Sequence, residues 1–306
     1  MTRIEYYIIR SKPVQTFLHW LQRLYPPGFE GVSLYDSLNF FRKEIFSSRF
    51  ASRANSISFS FIMALPPLLL FFFTLIPYLP LPEQKILSGI HDVLNLLSPN
   101  DKIKDSISRV MTDFITHKKN VLLSFSVLLT VFYSSNGMMA LMNNFEKRLP
   151  GFKKRNGFKR RMYAILLTLL LIVVGLTTIA VLIFQAWFAQ KTAWVFMRNL
   201  LFLKSLTFLL VTFMMLVTIC MIYKYGISSQ QRIRFFNPGA IIATSLMLLL
   251  TMLFFYAVNN LVNYDKIYGS IGTLIIFMLW INYMAHIVLI GFELNSSIIV
   301  NKNRKT

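Results

Sequence analysis

The stretch Tyr264–Ile298 decides the fold, and it reads YDKIYGSIGTLIIFMLWINYMAHIVLIGFELNSSI. A turn with two glycines leads into a mostly apolar run from Leu274 to Phe292. A helix of about 20 residues, rising 1.5 Å per residue, is long enough to cross ~30 Å of hydrocarbon. The run ends on Glu293, and a charge at the end of a hydrophobic span is costly and usually has a reason. The stretch therefore predicts a transmembrane helix with one carboxylate of special interest.

The composition of the whole chain is that of a membrane protein. Hydrophobic residues make up 55% of the 306 residues, charged residues only 14%, and the mean hydropathy is +0.56. A soluble domain would carry about 25% charge. The net charge of +20 would suggest nucleic acid in a soluble chain, but membrane proteins keep Lys and Arg in cytoplasmic loops, so we expect no nucleic-acid partner. The single Cys220 excludes a disulfide framework and a cysteine metal site.

Hydropathy predicts an all-α, polytopic membrane protein with six transmembrane helices. The predicted spans are about 57–79, 121–142, 162–188, 200–223, 239–262 and 274–294. The second span carries Ser126, Thr130, Ser134 and Gly137 on one face, which indicates close helix packing or, alternatively, a solute path. Lys204, at the start of the fourth span, is expected to anchor it at the interface.

Amphipathic helices are predicted outside the spans. Apolar stripes indicate two surface helices, at about 14–24 and 32–50, which lie either on the membrane or on the protein itself. Two further stripes within 80–120 indicate a helical hairpin outside the bilayer. The predicted organisation is an N-terminal region, a transmembrane domain and a short tail, at 1–56, 57–298 and 299–306.

The distribution of Lys and Arg predicts that both termini are cytoplasmic. One set of segments carries 22 of these residues and the alternating set carries nine. Cytoplasmic loops are enriched in Lys and Arg, so the first set is assigned to the cytoplasm. The first set is 1–56, 143–161, 224–238 and 299–306, and the second is 80–120, 189–199 and 263–273.

Polar residues in the last span are candidates for function. Asn282, His286 and Glu293 fall within roughly 40° of one another around a helix. They form either a proton- or solute-handling line in an internal cavity, or a set of structural contacts to neighbouring helices. Glu293 is expected to close its helix, near the negative end of the helix dipole, and therefore to need a cation or a proton. The expected partners are Arg49, Arg53, Arg160 and Arg161.

A proline pair is expected to kink the first span. Pro66 and Pro67 each remove a backbone donor, so the freed carbonyls should face protein or water rather than lipid. All candidate residues for a cavity or for pairing are Asn282, His286, Glu293, Pro66, Pro67, Tyr268, Gly269 and Asn259.

Several motifs resemble the YihY/BrkB family of bacterial inner-membrane proteins, once labelled ribonuclease BN. They are the turn Tyr268–Gly272, the closing Gly291–Asn295, Pro66–Leu69 in the first span, Ser135–Pro150 after the second, and Asn237–Ala240 at the start of the fifth. Each motif is short, but their order and spacing cover about Leu34 to Ile299. The resemblance implies a multi-pass protein of the bacterial inner membrane and does not imply one agreed activity.

No catalytic motif accompanies these features. The sequence contains no Walker loop, dinucleotide glycine pattern, His-Glu-x-x-His or nucleophile elbow, so we expect no enzyme activity, no catalytic residue, no metal and no cofactor.

The favoured hypothesis is a transporter-like protein for a lipid or a small solute, with membrane lipids as partners and no ATP site of its own. The alternative is a non-transporting scaffold of the cell envelope.

Overall fold

The computed structural model describes residues 22–26, 28–75, 78, 120–146, 151–191, 200–230, 233–260 and 270–305. Within these residues there are seven α-helices and no β-strand: α1 Leu34–Ile45, α2 Ser48–Leu75, α3 Asn120–Phe145, α4 Gly157–Lys191, α5 Leu200–Gly226, α6 Pro238–Asn260 and α7 Ser270–Lys305. The helices α2 to α7 are long and apolar enough to cross a membrane. The predicted all-α fold with six long apolar spans is confirmed.

Helix boundaries differ from the prediction at both ends of the chain. The surface helix expected over 32–50 stops at Ile45, and Ser48 already begins α2, which runs without a break into the first span. The boundary expected at 298 lies inside α7, where Ile299 and Val300 are buried, so this end of the chain is not a separate tail. Hydropathy marks where apolar residues stop, whereas a helix continues wherever its backbone bonds and packing are kept.

Some predicted features lie outside the described residues. These are the first surface helix apart from its last residues, the external hairpin before Asn120, and the turn residues Tyr268 and Gly269. They stay predictions.

The six long helices pack in chain order into a ring. Each helix from α2 to α6 contacts the next helix in the chain, and α7 closes the ring by contacting α2. The short helix α1 lies against α7. The first and last spans are therefore neighbours although they are far apart in sequence.

Small and hydroxyl residues hold α2 and α3 together. The hydroxyl groups of Thr74 and Ser126 share a hydrogen bond of 2.9 Å, and Thr130 Oγ1 donates to the carbonyl of Pro67 at 2.8 Å. A Cβ atom placed on Gly137 would lie 3.5 Å from the Phe61 ring of α2, so the two helices are close together at this glycine. Ser126 and Thr130 thus bond to α2 and Gly137 lies beside it, as the packing interpretation of that face predicts.

The two halves of the ring differ in packing. All buried hydrophobic side chains of α2 to α7 and their loops lie in one half, which we call the packed half: 50–64, 135–168, 219–247 and 285–300. The other half, which we call the open half, has no buried hydrophobic residue among its described side chains and comprises 65–75, 120–134, 169–191, 200–218, 248–260 and 270–284.

Candidate functional site

A buried ion pair joins α2 and α7 in the packed half. Glu293 is fully buried, and its Oε1 accepts a hydrogen bond of 2.5 Å from Nη1 of Arg53, whose side chain is 19% exposed. This contact confirms that Glu293 pairs with one of the four expected arginines. Two of the others have different partners, because Arg160 pairs with Glu146 at 3.0 Å and Arg161 donates to a side chain of α3.

The Arg53 guanidinium has two further contacts. Its Nη2 donates to the carbonyl of Asn144 in the last turn of α3, where helix carbonyls lack partners within the helix. It also lies over the Phe292 ring, 5.6 Å from the ring centre. One arginine therefore ties α2, α3 and α7 together, and its charge faces the negative end of α3.

Burial, rather than the helix dipole, explains why Glu293 has a cationic partner. The sequence predicted that Glu293 closes its helix, but α7 continues to Lys305. That prediction was wrong, and the dipole acts only within the last turn of a helix. A carboxylate removed from water still needs a cation and hydrogen bonds, and Arg53 supplies them.

Two asparagines hold the start of α6 against α7. The backbone nitrogen of Gly239 donates to Oδ1 of Asn295 at 3.0 Å, and Nδ2 of Asn295 donates to Oδ1 of Asn237 at 2.7 Å. The same Asn237 oxygen accepts from the backbone nitrogen of Ala240 at 2.9 Å. The first N–H groups of a helix have no partner within it, so these amides satisfy them inside the packed half.

Two glycines allow α6 and α7 to approach closely. A Cβ atom placed on Gly291 would lie 2.5 Å from the carbonyl oxygen of Gly239 and 2.9 Å from the Cβ of Ala243. Any side chain there would push the helices apart. Beside this contact the Tyr223 hydroxyl donates to the carbonyl of Val288 at 2.7 Å. The Asn-Pro-Gly-Ala and Gly-Phe-Glu-Leu-Asn motifs are therefore the two sides of one helix contact.

The polar stripe of α7 continues from Glu293 toward the open half. Nδ2 of Asn282 donates to Oδ1 of Asn55 on α2 at 2.9 Å, and Nδ1 of His286 lies 2.8 Å from the carbonyl of Asn282. The His286 ring meets the Phe50 ring edge-on, with 5.9 Å between centres. Asn282 and His286 are only half-buried. The stripe therefore faces α2, is bonded at each predicted position, and is accessible at its open-half end.

The other candidate positions that the structure describes lie away from the ion pair. Pro66 and Pro67 are both inside α2, in the open half. Pro66 is exposed, whereas Pro67 is half-buried and its carbonyl is bonded by Thr130. Asn259 lies in the last turn of α6. The expectation that the carbonyls freed by the prolines face protein or water stays a prediction.

A second arginine caps the end of α5. Nη1 of Arg155 donates to the carbonyls of Tyr225 at 3.0 Å and Gly226 at 3.3 Å, and its guanidinium lies 4.3 Å from the centre of the Tyr163 ring. Burial lowers the pKa of the Arg155 guanidinium from its usual value, but an arginine remains charged at neutral pH. Its charge satisfies carbonyls that the helix leaves without partners.

Sequence reasoning missed several residues of the site, among them Asn55 and Asn144. The sequence could have indicated Asn55, because amide side chains near membrane spans commonly form hydrogen bonds between helices. Nothing in the sequence indicated Asn144, because it contributes its backbone carbonyl to Arg53.

The chemistry of this site is charge pairing and hydrogen bonding. Among the described residues, no group of three or more His, Cys, Asp or Glu side chains could hold a metal ion. Glu293, the carboxylate of the site, is bonded to Arg53. The Arg53–Glu293 pair holds α2 and α7 together, and opening the pair would allow these helices to separate.

Comparison with known proteins identifies the family. The sequence profile described as Virulence factor BrkB matches residues 43–306, which include all of α2 to α7. A protein of Bacillus subtilis (strain 168), described as ribonuclease-like protein YfkH, is 24% identical over 273 residues, covering 87% of this chain and 96% of that protein. No solved structure gives a significant match. On the match over residues 43–306, this chain belongs to the YihY/BrkB family.

Proposed function

We propose that this protein is a transporter-like protein of the bacterial inner membrane that moves a lipid or a small solute. The observation that supports the proposal is the contrast between the two halves of the ring. The packed half contains the buried Arg53–Glu293 pair, while the open half has no buried apolar core in its described residues. A transporter in one of its states needs a barrier on one side of its site and access from the other.

In this proposal the ion pair belongs to the barrier. Separating Arg53 from Glu293 would leave two charges in surroundings of low dielectric, so the barrier stays closed until cargo or protons compensate them. Asn282 in the open half, together with Asn55 and His286 at the adjoining end of the packed half, forms the polar approach to the pair. Because the sequence carries no ATP motif, transport is facilitated, ion-coupled or driven by a partner.

Reconstitution into liposomes tests the proposal. Lipid scrambling and solute uptake are measured in parallel for the wild type, the double variant Arg53→Gln/Glu293→Gln and the control Glu146→Gln. We expect movement of one cargo class, a changed rate in the double variant and an unchanged rate in the control. Liposomes in which neither lipid nor solute moves faster than in protein-free vesicles would contradict the proposal.

We also propose that both termini are cytoplasmic. The excess of Lys and Arg in alternating segments supports this orientation. Contacts between those segments support it too: the backbone nitrogen of Lys153 donates to the carbonyl of Ser228 at 2.9 Å, and Lys302 pairs with Glu30. Reporter fusions after Lys119 and after Arg304 should report different compartments. Two cytoplasmic readings would refute this topology.

A second candidate is a non-transporting scaffold of the cell envelope. The close α6–α7 contact favours it, because a permanently packed bundle needs no alternative arrangement. The liposome experiment separates the two candidates, since a scaffold moves no cargo and the Arg53 and Glu293 variants would change only its folded fraction.

We propose no ribonuclease activity for this chain, although its relative is described as ribonuclease-like. A metal-dependent nuclease gathers several carboxylates or histidines around its ions, and the described residues contain no such group. The purified protein should leave RNA intact with Mg²⁺ or Mn²⁺. Cleavage that persists in a His286→Gln/Glu293→Gln double variant would show that this interpretation of the residues is wrong.

A further inference from the structure

The open half contains a shallow, open cavity along one face of α5. The space beside this face measures about 500 Å³, and among the described residues one helix alone lines it. The residues that line it recur at helical spacing, so they share one face of α5. They are Lys204, Ser205, Phe208, Leu209 and Thr212.

The cavity has a cationic end and an apolar wall. Lys204 and Ser205 lie in the first turns of α5, and both are exposed. One turn further along the helix, Phe208 and Leu209 are 51% and 66% exposed. Thr212 lies about 12 Å along the helix axis from Lys204. None of the lining residues is acidic, so the charge of Lys204 is available to an anion at this edge of the span.

The helix α4 packs against a different side of α5. Nε2 of Gln185 on α4 donates to Oγ1 of Thr207 at 2.9 Å and to the carbonyl of Leu203 at 3.4 Å. Lys204 and Phe208 follow these residues by one position, which turns them by about 100° around the helix. The packing of α4 therefore leaves the cavity face of α5 uncovered.

We propose that this cavity binds one anionic phospholipid, with its head group at Lys204 and an acyl chain along Phe208 and Leu209. The inference rests on the proposed function and deepens it, because it names a lipid rather than a solute as the ligand of the open half. A soluble anion would use Lys204 but leave the apolar wall bare. A zwitterionic lipid would cover the wall but carry no net charge for Lys204 to attract.

Native mass spectrometry of the purified full-length protein tests the proposal. The protein is titrated in turn with phosphatidylglycerol, phosphatidylcholine and inorganic phosphate, and we expect selective retention of one phosphatidylglycerol molecule. Lys204→Gln should weaken this retention roughly fivefold, the effect of one lysine on attraction to an anionic lipid surface. Ser205→Trp, which fills the cavity and keeps the charge, should weaken it as well. Lys159→Gln, which removes an exposed lysine of α4, is the matched control and should bind like the wild type.

Three outcomes would overturn the proposal: equal retention of both lipids by the wild type, unchanged retention by Lys204→Gln, or phosphate retained as strongly as the lipid. The last outcome would assign the site to a soluble anion. Failure of the proposed function gives a different result, namely selective lipid retention without movement of lipid or solute in liposomes.

Discussion

The packed half and the open half are parts of the same six helices, yet only the packed half has a buried core in the described residues. In the packed half, small residues such as Gly239, Gly291 and Ala243 occupy the α6–α7 contact. In the open half, α5 presents Phe208 and Leu209 at its surface. Lipid tails are as apolar as these side chains, so burying them between helices gains little in a membrane. Membrane helices therefore meet closely where side chains are small.

Polar partners also distinguish the two halves. In the packed half Arg53 contacts groups on both α3 and α7, while the open-half bonds Thr74–Ser126, Thr130–Pro67 and Gln185–Thr207 each join only two neighbouring helices. A charge that is bonded on several sides fixes the positions of several helices at once. The difference indicates that the packed half is the rigid part of the ring.

The largest expected effect comes from removing the buried carboxylate. Glu293→Ala leaves Arg53 charged and without its ion-pair partner, and the expected loss is ~3–5 kcal/mol of unfolding free energy. The pair of Glu146 with Arg160 is the control, and Glu146→Ala should cost less than Glu293→Ala, because both side chains of that pair keep about a fifth of their surface exposed. Denaturant unfolding in detergent micelles measures both values.

If Glu293→Ala and Glu146→Ala lose the same unfolding free energy, the buried ion pair does not account for the stability of the packed half. A charge swap, Arg53→Glu/Glu293→Arg, sharpens the comparison. It should recover part of the loss if the pairing itself stabilises the helices.

The next effect concerns the α6–α7 contact. Gly291→Ala places a methyl group against backbone and side-chain atoms of α6, and overpacking of this kind costs about 1–3 kcal/mol. The control is Gly175→Ala in the open half, where an added Cβ meets nothing within 4 Å and a small gain in helix propensity is expected. Thermal unfolding of both variants tests this. A Gly291→Ala protein as stable as Gly175→Ala would show that the helices can separate at little cost.

The smallest effect is the loss of one buried hydrogen bond. Tyr223→Phe removes the bond to the Val288 carbonyl, which should cost about 0.5–1.5 kcal/mol. Tyr283→Phe, at a tyrosine that is 54% exposed, should change stability by less than ~0.5 kcal/mol. The same unfolding experiment measures both. If Tyr283→Phe is the more destabilising change, the hydroxyl of Tyr223 does not hold α5 against α7.

The candidate site could be predicted only in part. Glu293 was identifiable because a carboxylate at the end of an apolar span needs a partner, and arginines near span ends were the available cations. The sequence did not show which of the four arginines is the partner of Glu293. Arg53 lies 240 residues from Glu293 along the chain, so the distance between the two side chains depends on how the ring closes. The place of Glu293 within α7 was also wrong, because hydropathy does not report how far a helix extends past its apolar run.

The sequence by itself determined the class of fold and the number of long apolar helices. Hydropathy is a property of each segment alone, and a bilayer demands a helix from each segment that is long and apolar enough. Only the tertiary structure decided that Arg53 is the partner of Glu293, that Gly239 and Gly291 face each other, and that apolar burial is confined to one half of the described ring. These features depend on the rotation and approach of helices that are distant in sequence, and the pattern of any single segment contains no information about its neighbour.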